Sequence, residues 1–101
     1  MLNSKERTYL KSLAQKEKAK FQIGKEGLSE NLANDVLNYL NKHELIKISI
    51  LQNSDVEKDD AIAFFEEYDI EFVQFIGRVL VLYKHSDNAK DPIVLPKKQS
   101  K

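Results

Sequence analysis

The residues whose types and spacing could do chemistry are Gly24, Lys25, Glu26 and Gly27, set between an alternating run, Lys18 to Ile23, and a helical pattern that opens at Ser29. Two glycines in a G-x-x-G loop leave the backbone without Cβ atoms and able to visit positive φ, so a bulky ligand can press against bare peptide groups. A helix starting just beyond adds unsatisfied N–H groups and the positive end of a dipole, which suit a phosphate. Lys25 brings a flexible point charge to the same place. The chemistry implied is the grip of a sugar-phosphate backbone. The plainer alternative is that the glycines only turn the chain.

The elements that must hold this loop are legible as periodicities. Asn3 or Ser4 can cap a first helix, with Glu6 at the third position after Asn3, and Tyr9, Leu10, Leu13 and Ala14 form its apolar stripe. From Lys18 to Ile23, Ala19, Phe21 and Ile23 alternate with Lys18, Lys20 and Gln22, as in a half-buried strand with a basic outer face. Leu28, Leu32, Ala33, Val36, Leu37 and Leu40 predict a second helix behind a Ser29 cap, ending near Asn41. Leu45 to Leu51 is apolar and β-branched throughout and reads as a buried strand. Ser54 and Glu57 have the spacing of a capping box for a third helix, with Ala61, Ile62, Phe65 and Tyr68 on one face. Ile70–Ile76 and Val79–Tyr83, split by little more than Gly77 and Arg78, predict an antiparallel hairpin.

The order αβαβαββ predicts a single α/β domain over residues 1–84, a mixed four-stranded sheet with three helices packed on it. Residues 85–101 turn polar and basic, a flexible tail carrying one short segment, Ile93 to Leu95, able to dock. A chain of 101 residues holds one core, and the lack of cysteine excludes disulfides, thiolate zinc sites and cysteine nucleophiles. With no secretory or membrane-length apolar run, the expectation is a soluble, cytoplasmic monomer.

Net charge is zero, but it is unevenly distributed. Residues 1–25 hold seven basic and two acidic residues (+5), 26–75 three and twelve (−9), and 76–101 six and two (+4). If the fold brings the ends together, one face becomes a positive field for phosphates and the other stays acidic; otherwise these are solvated faces that pair locally. Lys18 and Lys20 share the outer strand face near Lys25, and Lys5, Arg7 and Lys11 lie on the adjoining helix. Arg78, at the hairpin tip, either reaches a nucleic acid or pairs with an acid such as Glu71. His43 reads as a helix-end cap or a packed ring, and the aromatics as core, with no stacking platform. Asp55, Glu57, Asp59 and Asp60 suit a helix dipole better than a metal. No catalytic triad, P-loop or H-E-x-x-H is present, so no enzyme, metal or cofactor is expected.

Three stretches carry a resemblance: Gln22-Ile23-Gly24-Lys25-Glu26-Gly27-Leu28, His43-Glu44-Leu45-Ile46-Lys47, and the hairpin Val73 to Tyr83. Together with the opening Lys5-Glu6-Arg7-x-Tyr9-Leu10, they resemble the CRM domain in its free-standing bacterial YhbY-like form, over roughly residues 2–84. The resemblance implies an RNA-binding fold shaped like the C-terminal domain of a bacterial translation initiation factor. It also implies association with precursors of the large ribosomal subunit, hence an rRNA partner and neither a membrane nor a small-molecule substrate. The RNA-binding set it implies is the loop Gly24 to Gly27 with the basic first helix and nearby strand. Glu26 departs from the pattern this resemblance implies, in which glycine or another small or basic residue is common, and a carboxylate there repels a phosphate unless it points away. The alternative function is an assembly adaptor that binds proteins through the acidic third helix.

Overall fold

In the computed structural model, which describes residues 2–95, the first helix is set by its cap. The Asn3 side chain accepts the Glu6 N–H at 2.7 Å while the Glu6 carboxylate accepts the Asn3 N–H at 2.9 Å, which satisfies two N–H groups that α1 (Ser4–Ala14) would otherwise leave open. The other elements are β1 (Phe21–Ile23), α2 (Glu30–His43), β2 (Leu45–Ile50), α3 (Lys58–Glu66), β3 (Glu71–Ile76) and β4 (Val79–Tyr83). This is the element order expected from the sequence.

The four strands lie in the order β1-β2-β4-β3. β1 pairs with β2 in parallel, and β4 runs antiparallel to both β2 and β3. Each strand–helix–strand crossover therefore joins strands that point the same way, and the hairpin slots its second strand between them. Alternation along the strands sends side chains to two faces. One face meets α2 and α3 in a cluster that includes Ile23, Val36, Leu40, Ile46, Ile48, Phe65, Leu80 and Leu82. The other meets α1, with Leu2, Leu10, Ala14, Leu45, Val73, Val81 and Tyr83. The result is a single domain of three layers.

Three boundaries differ from the periodicity by two residues or more. β1 begins at Phe21, although Lys20 still donates its N–H to the Lys47 carbonyl at 2.8 Å, and Ala19 is exposed. α2 runs to His43 and ends where Glu44 takes a left-handed conformation (φ 66°), its N–H returning to the Leu40 carbonyl. α3 is capped at Glu57, whose N–H donates to the Asp60 carboxylate, not at Ser54. Ser54 instead belongs to a turn leaving β2. Its N–H donates to the Leu51 carbonyl and its hydroxyl accepts the Val56 N–H, and the chain stays extended so that Val56 can reach the core before the helix starts.

The chain after β4 packs back on the domain. Glu44, wholly buried, accepts N–H groups from Ser86 (2.6 Å) and Ile93 (2.7 Å), and its Oε2 lies 3.1 Å from His85 Nδ1. Ile93 and Leu95 rest against the α1-side cluster. Pro96 to Lys101 lie outside the described residues.

Candidate nucleic-acid interface

The glycine loop is a closed turn. Gly27 donates its N–H to the Gly24 carbonyl at 3.0 Å, and Lys25 and Glu26 stand exposed at its tip. The two glycines do different things. Gly27 sits at φ 72°, where a side chain would strain the backbone, whereas Gly24 has an ordinary conformation and a Cβ there would touch Leu51 at a comfortable 3.6 Å. The loop thus rests its back on the Leu51–Val56 connection and turns its tip to solvent. Ser29 caps α2 by accepting the Leu32 N–H at 3.1 Å, and Glu30 places a carboxylate in the first turn. The helix end therefore offers a phosphate less than its position in the sequence suggested.

Arg78 is placed against the same end of the sheet. Gly77 and Arg78 both have positive φ (59° and 62°), as a two-residue hairpin turn requires, and this aims the Arg78 side chain back across the end of β2. Its Nε donates to the Ile50 carbonyl at 3.0 Å and its Nη2 to the Leu51 carbonyl at 2.8 Å. Pairing with Glu71 is overturned: Glu71 starts β3 opposite Tyr83, at the far end of the strand from the turn. The guanidinium braces Leu51, on which the glycine loop rests, and keeps its remaining N–H groups at the surface.

β1 carries the lysines onto the α1 side of the sheet. In the register Phe21↔Ile48, Gln22↔Ser49, the outward residues Lys20 and Gln22 stand beside Lys47 and Ser49. α1 leans mainly on β2, β3 and β4, so Lys20 and Gln22 on β1 stand exposed while Lys47 and Ser49 beside them are half-buried. Lys18 is exposed in the chain leading to it. On α1, Leu10 and Ala14 face the sheet, Leu13 turns toward Ile93, and Arg7 and Lys11 occupy the opposite flank, half-buried. Arg7 Nε has no hydrogen-bond partner among the described residues. Lys5 stands apart, on the outer helix face with Thr8, Tyr9 and Ser12. Arg78 thus sits behind the loop, Lys20 and Lys18 lead along the chain of β1 away from it, Arg7 and Lys11 lie on a flank of α1, and Lys5 stands outside on the outer helix face.

Lys47 was missed in the sequence because Leu45 to Leu51 reads as one apolar run; its signal was the polar pair Lys47 and Ser49 two apart. Asp59, Asp60, Glu66 and Glu67 are exposed on α3, across the sheet from the lysines. Under α1, burial first, and then the negative charges of Glu44, Glu6 and Glu71, push the Tyr83 phenol up to about 12. Among the described residues no His, Asp and Glu group is arranged to hold a metal, and no helix is long and apolar enough to cross a membrane.

The family model for the CRS1 / YhbY (CRM) domain matches residues 2–84, spanning all seven elements. The chain belongs to the CRM-domain family. It is 39% identical over 97 residues to a Bacillus subtilis (strain 168) protein named Probable RNA-binding protein YqeI, a match covering 95% of this chain and all of that one. It is 38% identical over 99 residues to a Haemophilus influenzae protein named RNA-binding protein, covering 96% of this chain and 97% of the relative. A solution structure from Staphylococcus aureus, described as a hypothetical protein and a candidate RNA binder, superposes with a TM-score of 0.77 at 40% identity, covering 95% of this chain and all of that one. The matched structure shares the fold over nearly the whole of this chain and all of that one.

Proposed function

We propose that this chain binds RNA, and that the contact face is the Gly24–Gly27 loop with Lys25 at its tip, the strip of Lys20 and Lys47, Lys18 beside it, Arg78, and the Arg7–Lys11 flank of α1. Membership of the CRM-domain family supports RNA as the partner. The observation that carries the contact face is the β1–β2 register, which lays the strip's lysines along the same sheet face that the loop terminates. Phosphates are met by lysine charges and by loop amides, so the grip is on backbone shape more than base identity. Glu26 at the tip keeps the loop from becoming a strong anion trap. The acidic exposed side of α3 repels RNA and so favours one orientation.

In the cell, the partner in this reading is rRNA within a large-subunit precursor, bound by a cytoplasmic monomer. Binding should depend steeply on salt, because neutralising three to five phosphates gives a log–log slope of about −2 to −4. A slope near zero would remove the phosphate-based contact. Charge reversal at Lys18, Lys20 and Lys25 should release the protein from sedimenting ribosomal particles. The acidic α3 surface supports one rival, an adaptor docking on basic assembly proteins. Retention after those reversals, with loss on changing Asp59, Asp60 and Glu67, would select that rival.

A further inference from the structure

At the end of the sheet away from the glycine loop, the ends of α1 and α2, the chain leaving α1 and the segment after β4 line a half-open cavity of about 320 Å³. Leu45 and Ile93 give it an apolar lining, and Lys16, Lys42 and Lys90 stand around it against only two carboxylates, Glu17 and Asp91. One wall is aromatic. Tyr39 and His43, a helical turn apart on α2, stack with ring centroids 4.3 Å apart and planes inclined by 32°. Phe21 of β1 meets Tyr39 edge-on at 6.0 Å, which fixes the pair to the sheet. His43 itself is exposed, so one face of the stack has no ring upon it.

We propose that this cavity receives one unpaired nucleotide of a bound RNA strand, its base stacked on the Tyr39–His43 wall and its phosphates held by Lys16, Lys42 and Lys90. This rests on the RNA-binding reading and deepens it from RNA in general to RNA with a single-stranded segment. Volume sets the size of the guest, since about 320 Å³ is at the small end of the ~300–1,000 Å³ range of small-molecule sites. The route also fits. The chain from the cavity to the glycine loop runs from Lys16 through Lys18 and Lys20 to Lys25, a line of exposed lysines. A nucleic-acid backbone gripped at the loop can follow that line into the cavity. The segment carrying Lys90 and Ile93 is tied in place through the Lys90 N–H to the Lys42 carbonyl and the Ile93 N–H to Glu44, so the wall is built before any ligand arrives.

The test is fluorescence anisotropy with a short labelled single-stranded oligoadenylate and, in parallel, a fully paired RNA duplex. His43→Ala removes an exposed ring and leaves the core intact; it should weaken oligoadenylate binding roughly five- to a hundredfold, the range for one stacked base, and duplex binding hardly at all. His43→Phe should restore the affinity. 2-Aminopurine in the oligonucleotide should be quenched by the unaltered protein and not by His43→Ala. Lys25→Glu serves as the control for the loop. If Lys25→Glu weakens both probes while His43→Ala weakens neither, or weakens both equally, the cavity proposal is overturned and the RNA-binding reading stands. If the unaltered protein binds neither RNA, both fall.

Discussion

On the α2/α3 side of the sheet, the strands present Ile23, Ile46, Ile48, Ile50, Leu80 and Leu82 to the helices without a polar interruption. On the α1 side the same strands present Leu45, Val81 and Tyr83 beneath the helix and Lys20, Gln22, Lys47 and Ser49 beside it. Two helices close one face, whereas one helix and a returning segment close only part of the other. The contrast shows how a small sheet divides its work. Apolar side chains follow the helices that cover them, and charge is kept where water can still reach it.

That contrast can be broken most severely on the closed side. Phe65 is wholly buried, and Phe65→Ala should lower unfolding free energy by ~3–5 kcal/mol in urea titrations. An effect below about 1 kcal/mol would mean that this face is not the cohesive one. Next is the segment that completes the α1 side. Glu44→Ala deprives the Ser86 and Ile93 N–H groups of a charged acceptor, each such bond contributing ~1.5–3 kcal/mol, offset because the freed segment can return to water. A net loss of about 2–3 kcal/mol is expected. Amide hydrogen exchange should quicken at Ser86 and Ile93 while β2 and β4 stay protected.

The pH dependence sharpens the comparison further. Because the folded Tyr83 phenol titrates near 12 and the free one near 10.0, its stabilising contribution is whole below pH 10 and is lost as pH rises from 10 toward 12. Tyr83→Phe should flatten that decline in alkaline denaturation curves. An unchanged slope would show that Tyr83 is not what senses alkali. The smallest effect belongs to the open strip. Lys47→Ala gives up one exposed bond, from its Nζ to the Glu17 carbonyl, and should alter stability by about 0.5 kcal/mol at most. In RNA titrations it should make the salt slope shallower by ~0.7 if it meets one phosphate.

The helices and strands were readable because each buries one face, and burial prints its period on the sequence: Leu10 with Ala14, Val36 with Leu40, and Leu80 with Leu82. The loop and its lysines were readable as residue types. What stayed hidden depends on pairings between distant parts of the chain. Nothing near Arg78 says that it will clamp the Ile50 and Leu51 carbonyls, because that follows from a turn folding over the end of another strand. Nothing at the entry to β2 marks Glu44 for burial, which depends on chain more than forty residues onward. His43 was read as a cap or a packed ring; its stack with Tyr39 was latent in their one-turn spacing, but the cavity beside them exists only once the returning segment is in place.

The central position of β4 has a consequence for synthesis. As the chain emerges from the ribosome, β1, α2 and β2 can pair early, but the strand that joins β2 to β3 is the last of the four to be made. Until Tyr83 is out, one edge of β2 has no neighbour, and β3 has nothing to pair with. The nascent polypeptide should thus acquire protease resistance in one late step, once the final hairpin can insert, and not by gradual accretion from its amino end.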